Sequence, residues 1–199
     1  KMLNKIKHIF FIFVIYFFIQ NNSHATDPEI FVQSTVNRAS QILSENISKE
    51  EKMSKLQIIA KDTVDIRGIG FYTLGPIRKN LDDDLKKEYE RLFEQYFLKS
   101  FSSRLAEYTN PEIDVMGKDV LNENYTIVNS VLKATSDRPE IVIDWRIYTK
   151  DPSKPLIRDL IIEGLSLART QKEEFNSVLQ SNDNKITELF KTLKSFINN

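Results

Sequence analysis

The sequence predicts an α+β fold, with helices first, an antiparallel sheet of about four strands in the middle and helices last. Three observations predict it. Hydrophobic residues recur at helical spacing from Asp27-Pro28 to about Tyr108, then at every second position from Pro111 to Ile162, then helically again after Gly164. Turn-forming clusters at Asn122-Glu123-Asn124, Asp137-Arg138-Pro139 and Lys150 to Pro155 divide the middle part into strands. The third observation is Leu156 to Leu179, LIRDLIIEGLSLARTQKEEFNSVL, which changes period within itself. It is β-branched and apolar up to Ile162, then carries Leu165, Leu167, Ala168, Phe175, Val178 and Leu179 at helical spacing. A strand that feeds its chain straight onto a covering helix implies an antiparallel sheet with helices on one face.

The first 25 residues form a leader by pattern. Lys1, Lys5 and Lys7 precede an unbroken apolar run, Ile9 to Ile19, and Ser23-His24-Ala25 supplies small residues for cleavage. The run is short of the roughly 20 residues needed to span a bilayer, and the competing reading is an uncleaved anchor. Residues 26–199 are then expected to be a single domain of 174 residues, long enough to bury most of its surface. Secretion is the localisation this predicts.

Within that domain, Asp27-Pro28 reads as an N-cap and first-turn proline, opening a helix to about Glu45. Ser48 and Glu51 form a capping box for a second helix with Met53, Leu56, Ile59, Ala60 and Val64. Asp65 to Asn80 contains Gly68, Gly70 and Gly75, but fits neither dinucleotide nor Walker spacing and follows no strand. A short helix with Ile69, Tyr72 and Leu74 turned inward, ended by Gly75-Pro76, accounts for it. The longest helix starts at Leu81-Asp82-Asp83, where acids suit the helix dipole. Its stripe of Tyr89, Phe93, Tyr96, Phe97 and Phe101 is more aromatic than the cover of a sheet requires. Strands follow at Glu112 to Asn122, with a bend at Gly117, at Tyr125 to Thr135, and at EIVIDWRIYT. In the last of these Ile141, Ile143, Trp145 and Ile147 face one way, and Asp144 and Arg146 the other. Gly164 marks a bend, Ser166 caps the next helix, and a last helix runs from about Lys185 to Ile197.

Composition narrows the function. Without the leader's three lysines, 25 basic side chains face 28 acidic ones, which argues against a nucleic-acid partner. No cysteine is present and both histidines, His8 and His24, fall in the leader. The remaining chain therefore lacks the means for thiolate metal sites, the usual zinc sites and His-dependent nucleophilic triads. Neither metal nor cofactor is expected.

Three segments together resemble the MlaC family, whose members are periplasmic phospholipid-binding proteins of a lipid-asymmetry pathway, also called toluene-tolerance auxiliary proteins. They are Asp65 to Gly75 followed by FEQYFLKSFSSRL, the strand IVIDWR at Ile141 to Arg146, and RDLIIEGLSLARTQKEEF at Arg158 to Phe175. Lys172, where arginine is common, and Leu156, where an aromatic often sits, depart from the pattern. The resemblance implies a soluble periplasmic shuttle with a deep apolar pocket between a curved sheet and helices, and phospholipid as its cargo; monomer is the default state for a shuttle. It also implies two partners, an inner-membrane ABC transporter complex and an outer-membrane lipoprotein complex.

Removing two chains of about sixteen carbons from a bilayer costs about 0.8 kcal/mol per methylene, on the order of 20–25 kcal/mol in all. A carrier needs comparable apolar burial, which suggests a cavity well beyond the usual range of about 300–1,000 Å³. The expected wall is Tyr72 and Leu74, then Phe93, Phe97 and Phe101 from the long helix, and Val128, Ile143, Trp145 and Ile161 from the sheet. For each residue the competing role is ordinary core. Asp159 and Glu163 could suggest acid–base work, but capping or sheet-edge pairing is the favoured reading of a pair on one strand face without histidine or metal. The alternatives to a non-enzymatic carrier are an enzyme on a similar helix-and-sheet fold and an adaptor domain with a filled core.

Overall fold

The computed structural model describes residues 25–199, so the leader lies outside the described residues, apart from Ala25. Helices α1 (Pro28–Ser44), α2 (Lys49–Thr63) and α3 (Ile66–Leu74) come first. A short 3₁₀ turn (Gly75–Lys79) leads into the long α4 (Asp83–Leu105). Strands β1 (Ile113–Asn122), β2 (Tyr125–Leu132), β3 (Ile141–Tyr148), β4 (Leu156–Ile162) and β5 (Leu165–Ser166) follow. Helices α5 (Leu167–Gln180) and α6 (Ile186–Asn198) complete the fold. Among the described residues, no helix is long and apolar enough to cross a membrane.

The helix starts follow from local chemistry. Asp27, Ser48, Asp65, Asp82 and Ser166 each accept a hydrogen bond from a first-turn amide of the helix they precede. Only the Ser48 half of the expected capping box forms among the described hydrogen bonds, because Glu51 uses its amide and not its carboxylate. Helix α4 stops at Leu105, three residues short of the expected Tyr108. Its last cation, Arg104, sits where the helix dipole favours positive charge.

The sheet is an antiparallel meander in the order β1-β2-β3-β4-β5. Its fifth strand exceeds the four expected. Leu165 and Ser166 pair with Ile162 and Ile161 before the chain turns helical, so Leu165 belongs to a strand and not to the helix. Gly164 at φ 79° makes the two-residue reversal possible, with Glu163 also at positive φ. The bend expected at Gly117 is a register shift between Val115 and Gly117.

One face of the sheet carries Val128, Leu132, Ile143, Trp145, Ile147 and Ile157, all buried. Helices α1, α3 and α5 touch the sheet, while α2, α4 and α6 pack on those helices or between them. The α2–α3 junction is pinned to β4, where the Asp65 amide donates to the Ile157 carbonyl at 3.0 Å and Asp65 pairs with Arg158. Arg158 also donates to the Tyr125 hydroxyl at 3.0 Å and lies 4.3 Å from the Tyr148 ring centroid.

Candidate functional site: an apolar cavity between helices and sheet

Helix α4 gives the site its shape. Its first half is fully packed, with Tyr89, Leu92 and Phe93 buried against neighbouring helices. Tyr89 reaches α3, sharing its hydroxyl with Thr73 at 2.8 Å and the Gly70 carbonyl at 3.1 Å. Burial raises the Tyr89 hydroxyl well above the ordinary tyrosine range, so it stays a neutral hydrogen-bonding group. Gly70 permits the approach, because a Cβ there would meet the Phe93 ring at 2.8 Å. Further along, Phe97, Phe101 and Leu105 are only half-buried. Their side chains turn toward a cavity of about 440 Å³ instead of toward the sheet.

Apolar and aromatic groups dominate its wall. Phe93, Phe97 and Phe101 come from α4, Leu132, Ile143 and Trp145 from the sheet, and Val36, Leu43 and Ile59 from α1 and α2. Phe97 and Phe101 stack with centroids 5.6 Å apart and planes 10° apart, and Phe93 meets Phe175 edge-on at 6.2 Å. The Trp145 indole N–H donates to Ser130 Oγ at 2.8 Å, and that hydroxyl donates to the Ile143 carbonyl at 2.8 Å. The wall thus presents the indole's carbon surface while its one donor is satisfied behind it.

Of the nine expected wall residues, the structure brings Phe93, Phe97, Phe101, Ile143 and Trp145 to the cavity. It does not bring the other four. Tyr72 points outward, 42% exposed, with the Lys172 ammonium 5.0 Å from its ring centroid. The helix phase of α3 that buries Ile69 and Leu74 carries Tyr72 to the opposite side. Leu74 is buried in the core beside the site. Val128 is completely buried opposite Trp145 and lies outside the cavity. Ile161 fails because Arg158 is an extra residue in β4: the pairing steps from Arg146–Asp159 to Ile147–Ile157. Such a bulge reverses which side chains face the core, and Leu160 and Ile162 take the wall positions instead.

The sequence reading also missed the contributions of α1, Thr35, Val36, Ala39, Ser40 and Leu43. The spacing of Val36, Ala39 and Leu43, three and four residues apart, was visible, but periodicity alone does not say whether a helix face meets core or cavity. The volume differs from expectation as well. At about 440 Å³ it lies inside the ordinary small-ligand range and not beyond it.

The two carboxylates in the best-matching segment have structural partners. Asp159 accepts from Ser166 Oγ at 2.6 Å and from the Ala168 amide at 2.9 Å, which ties β4 to the start of α5. Glu163 lies in the β4–β5 turn and not on the strand face of Asp159, and it accepts from the Val142 amide at 2.6 Å. Both do what capping and edge pairing require. Among the described residues, no group of three or more His, Cys, Asp or Glu is placed to hold a metal ion.

The cavity opens between α4 and α5. Its exposed lining residues, Arg104, Leu167 and Glu174, gather there, whereas Ile59, Val64, Ile69 and Ile157 close the far end. The polar lining residues Ser100 and Thr170 lie on the same side. Tyr96 donates to Gln171 Oε1 at 2.7 Å across this opening. Burial raises the Tyr96 hydroxyl above its usual range, and Glu174 pushes it further, against the opposing effects of Gln171 and Arg104.

Comparison with known proteins adds a family and a fold. No curated protein sequence matches the chain. Among solved structures, a phospholipid-binding protein from Ralstonia solanacearum, in complex with a phospholipid, superposes with a TM-score of 0.73 at 16% identity. The match covers 87% of this chain and 98% of that one, and at this identity it shows a shared fold. The family described as "MlaC protein" matches residues 33–195, so the chain belongs to the MlaC family.

Proposed function

We propose that this protein is a phospholipid carrier that encloses acyl chains in the cavity between α4 and the sheet. It catalyses no reaction in doing so. The observation that carries the reading is the half-packed state of α4. Large apolar groups that would close onto the sheet in a filled core instead line an opening of about 440 Å³. Membership of the MlaC family and the likeness to a phospholipid-binding protein support the same reading. A filled adaptor domain is disfavoured by the opening. An enzyme is disfavoured by Asp159, whose oxygens already serve the α5 start.

The cavity volume suits the deep ends of acyl chains, with the remainder running along the open α4–α5 side. The apolar lining offsets the cost of leaving the bilayer in proportion to the chain length it encloses. The leader pattern would send the protein to the periplasm. There, as a monomer, it would carry phospholipid between an inner-membrane ABC transporter complex and an outer-membrane lipoprotein complex.

The test is mass spectrometry of organic extracts from protein purified under native conditions from a bacterial envelope. Glycerophospholipid co-purifying with the protein, and lost after delipidation, is the expected result. Protein that emerges empty and takes no phospholipid from vesicles overturns the proposal.

A further inference from the structure

The two ends of the cavity are held differently. At the mouth, α4 and α5 meet through the Tyr96–Gln171 side-chain hydrogen bond. At the far end, Ile59, Val64, Ile69 and Ile157 line the cavity together. All four are β-branched and stiff at χ1, so this end wall has little freedom to give way. Each keeps 5–8% of its surface, whereas Leu189 and Leu193, which lie outside the cavity lining, keep none.

The end wall is also fastened from behind. Val64 bridges Ile157 in parallel, and the next residue, Asp65, donates its amide to the Ile157 carbonyl at 3.0 Å. Asp65 in turn pairs with Arg158, the residue after Ile157, whose guanidinium also donates to the Tyr125 hydroxyl and lies over the Tyr148 ring. Thr63, a polar neighbour in the lining, donates its hydroxyl to the Ile59 carbonyl at 2.8 Å. An acyl chain that reaches this end meets methyl groups on a backbone that is tied down.

A closed and rigid end has a thermodynamic consequence for a bound chain. A methylene within its reach is buried in the bilayer before transfer and in the protein after it, so added length has little effect on uptake. A methylene beyond that reach is pushed back toward the open α4–α5 side and loses burial worth about 0.8 kcal/mol. That corresponds to a fall in uptake of up to about fourfold for each added methylene.

We infer that the end wall of Ile59, Val64, Ile69 and Ile157 is an acyl-chain ruler, which sets the longest chain the protein takes up without penalty. This rests on the carrier reading above and adds to it a selection among lipids by tail length.

The experiment is competitive uptake from mixed vesicles of saturated diacyl phosphatidylglycerols, from about twelve to about twenty carbons per chain, read by mass spectrometry of the re-isolated protein. Uptake relative to the vesicle composition should be level for the shorter chains and fall severalfold per step beyond a break. Ile69→Ala, which cuts an end-wall side chain back to a methyl, should move the break to longer chains by about two methylenes. Ile59→Phe should move it to shorter ones; should that variant not fold, Ile69→Ala alone decides. Leu189→Ala, a comparable loss outside the cavity lining, should lower the melting temperature and leave the break in place.

If wild type takes up no lipid of any length, the carrier reading fails and the ruler with it. If lipid is taken up without a break, or with a break that the end-wall variants leave where it was, the ruler is overturned and the carrier reading stands. A break that Leu189→Ala shifts as far as Ile69→Ala does would reflect general loosening of the fold, and would also overturn the inference.

Discussion

The two halves of α4 are made of the same material and do opposite things. From Tyr89 to Phe93 the helix packs closely on α3, with a hydroxyl shared with Thr73 and the Phe93 ring lying over Gly70 at the edge of the cavity wall. Further along, Phe97, Phe101 and Leu105 are as apolar, yet they stay half-buried and face open volume. The difference lies in the partners. Close approach needs a position without a side chain and a polar tie; Gly70 and Thr73 provide both for the first half. Opposite the second half stand Trp145, Ile143 and Leu160, large groups on a sheet whose bulge at Arg158 fixes which of them point inward. Hydrophobicity fills a fold or hollows it according to what faces it.

That contrast can be broken from the sealed side first. Tyr89→Ala removes a fully buried ring and its hydroxyl's two bonds, and should destabilise the protein by about 3–5 kcal/mol. Phe101→Ala, which enlarges an existing opening, should cost under about half of that, roughly 1–2 kcal/mol. Denaturant melts of the pair measure the difference; equal losses would mean α4 is packed alike along its length. Gly70→Ala should cost about 1–3 kcal/mol, because the new methyl meets the Phe93 ring. Ala39→Phe approaches from the hollow side. Its added ring has space to enter, so stability should stay within about 1 kcal/mol of wild type while lipid uptake from vesicles falls severalfold.

The smallest effect is electrostatic. Hydrogen bonds from Arg91 and Lys194 lower the Glu88 carboxyl to about 2, tying α4 to α6. A depressed carboxyl stabilises the folded state above its unfolded value of about 4.3 and loses that contribution as pH falls toward 2. Glu88→Gln should therefore flatten this part of the stability profile. The effect should stay below about 1 kcal/mol and shrink with added salt, because the groups are at the surface. A profile unchanged by the substitution would remove the Glu88 link.

Much of this was legible in the sequence, and the misses have identifiable causes. Asp27, Ser48, Asp82 and Ser166 announced helix starts because capping is local chemistry. Ile143 and Trp145 could be assigned to one face because β3 keeps its period. Ile161 could not, since the extra residue at Arg158 leaves no mark in composition and reverses the faces after it. Tyr72 was misplaced because a nine-residue helix with three apolar faces gives little phase information. The α1 wall was missed because Val36, Ala39 and Leu43 read the same whether they meet core or cavity. The opening was legible only in part. Tyr96, Ser100 and Arg104 are visibly four apart, but the Tyr96–Gln171 hydrogen bond is tertiary.

The central claim is that the space beside the second half of α4 is occupied by acyl chains. It is tested most directly with Phe97→Arg, which sets a charge in that space, by native mass spectrometry of lipid occupancy alongside far-ultraviolet circular dichroism. Occupancy should collapse while helix content and the cooperative melt remain. Occupancy retained, or lost only in step with the secondary structure, would contradict the account and make Phe97 a plain core residue.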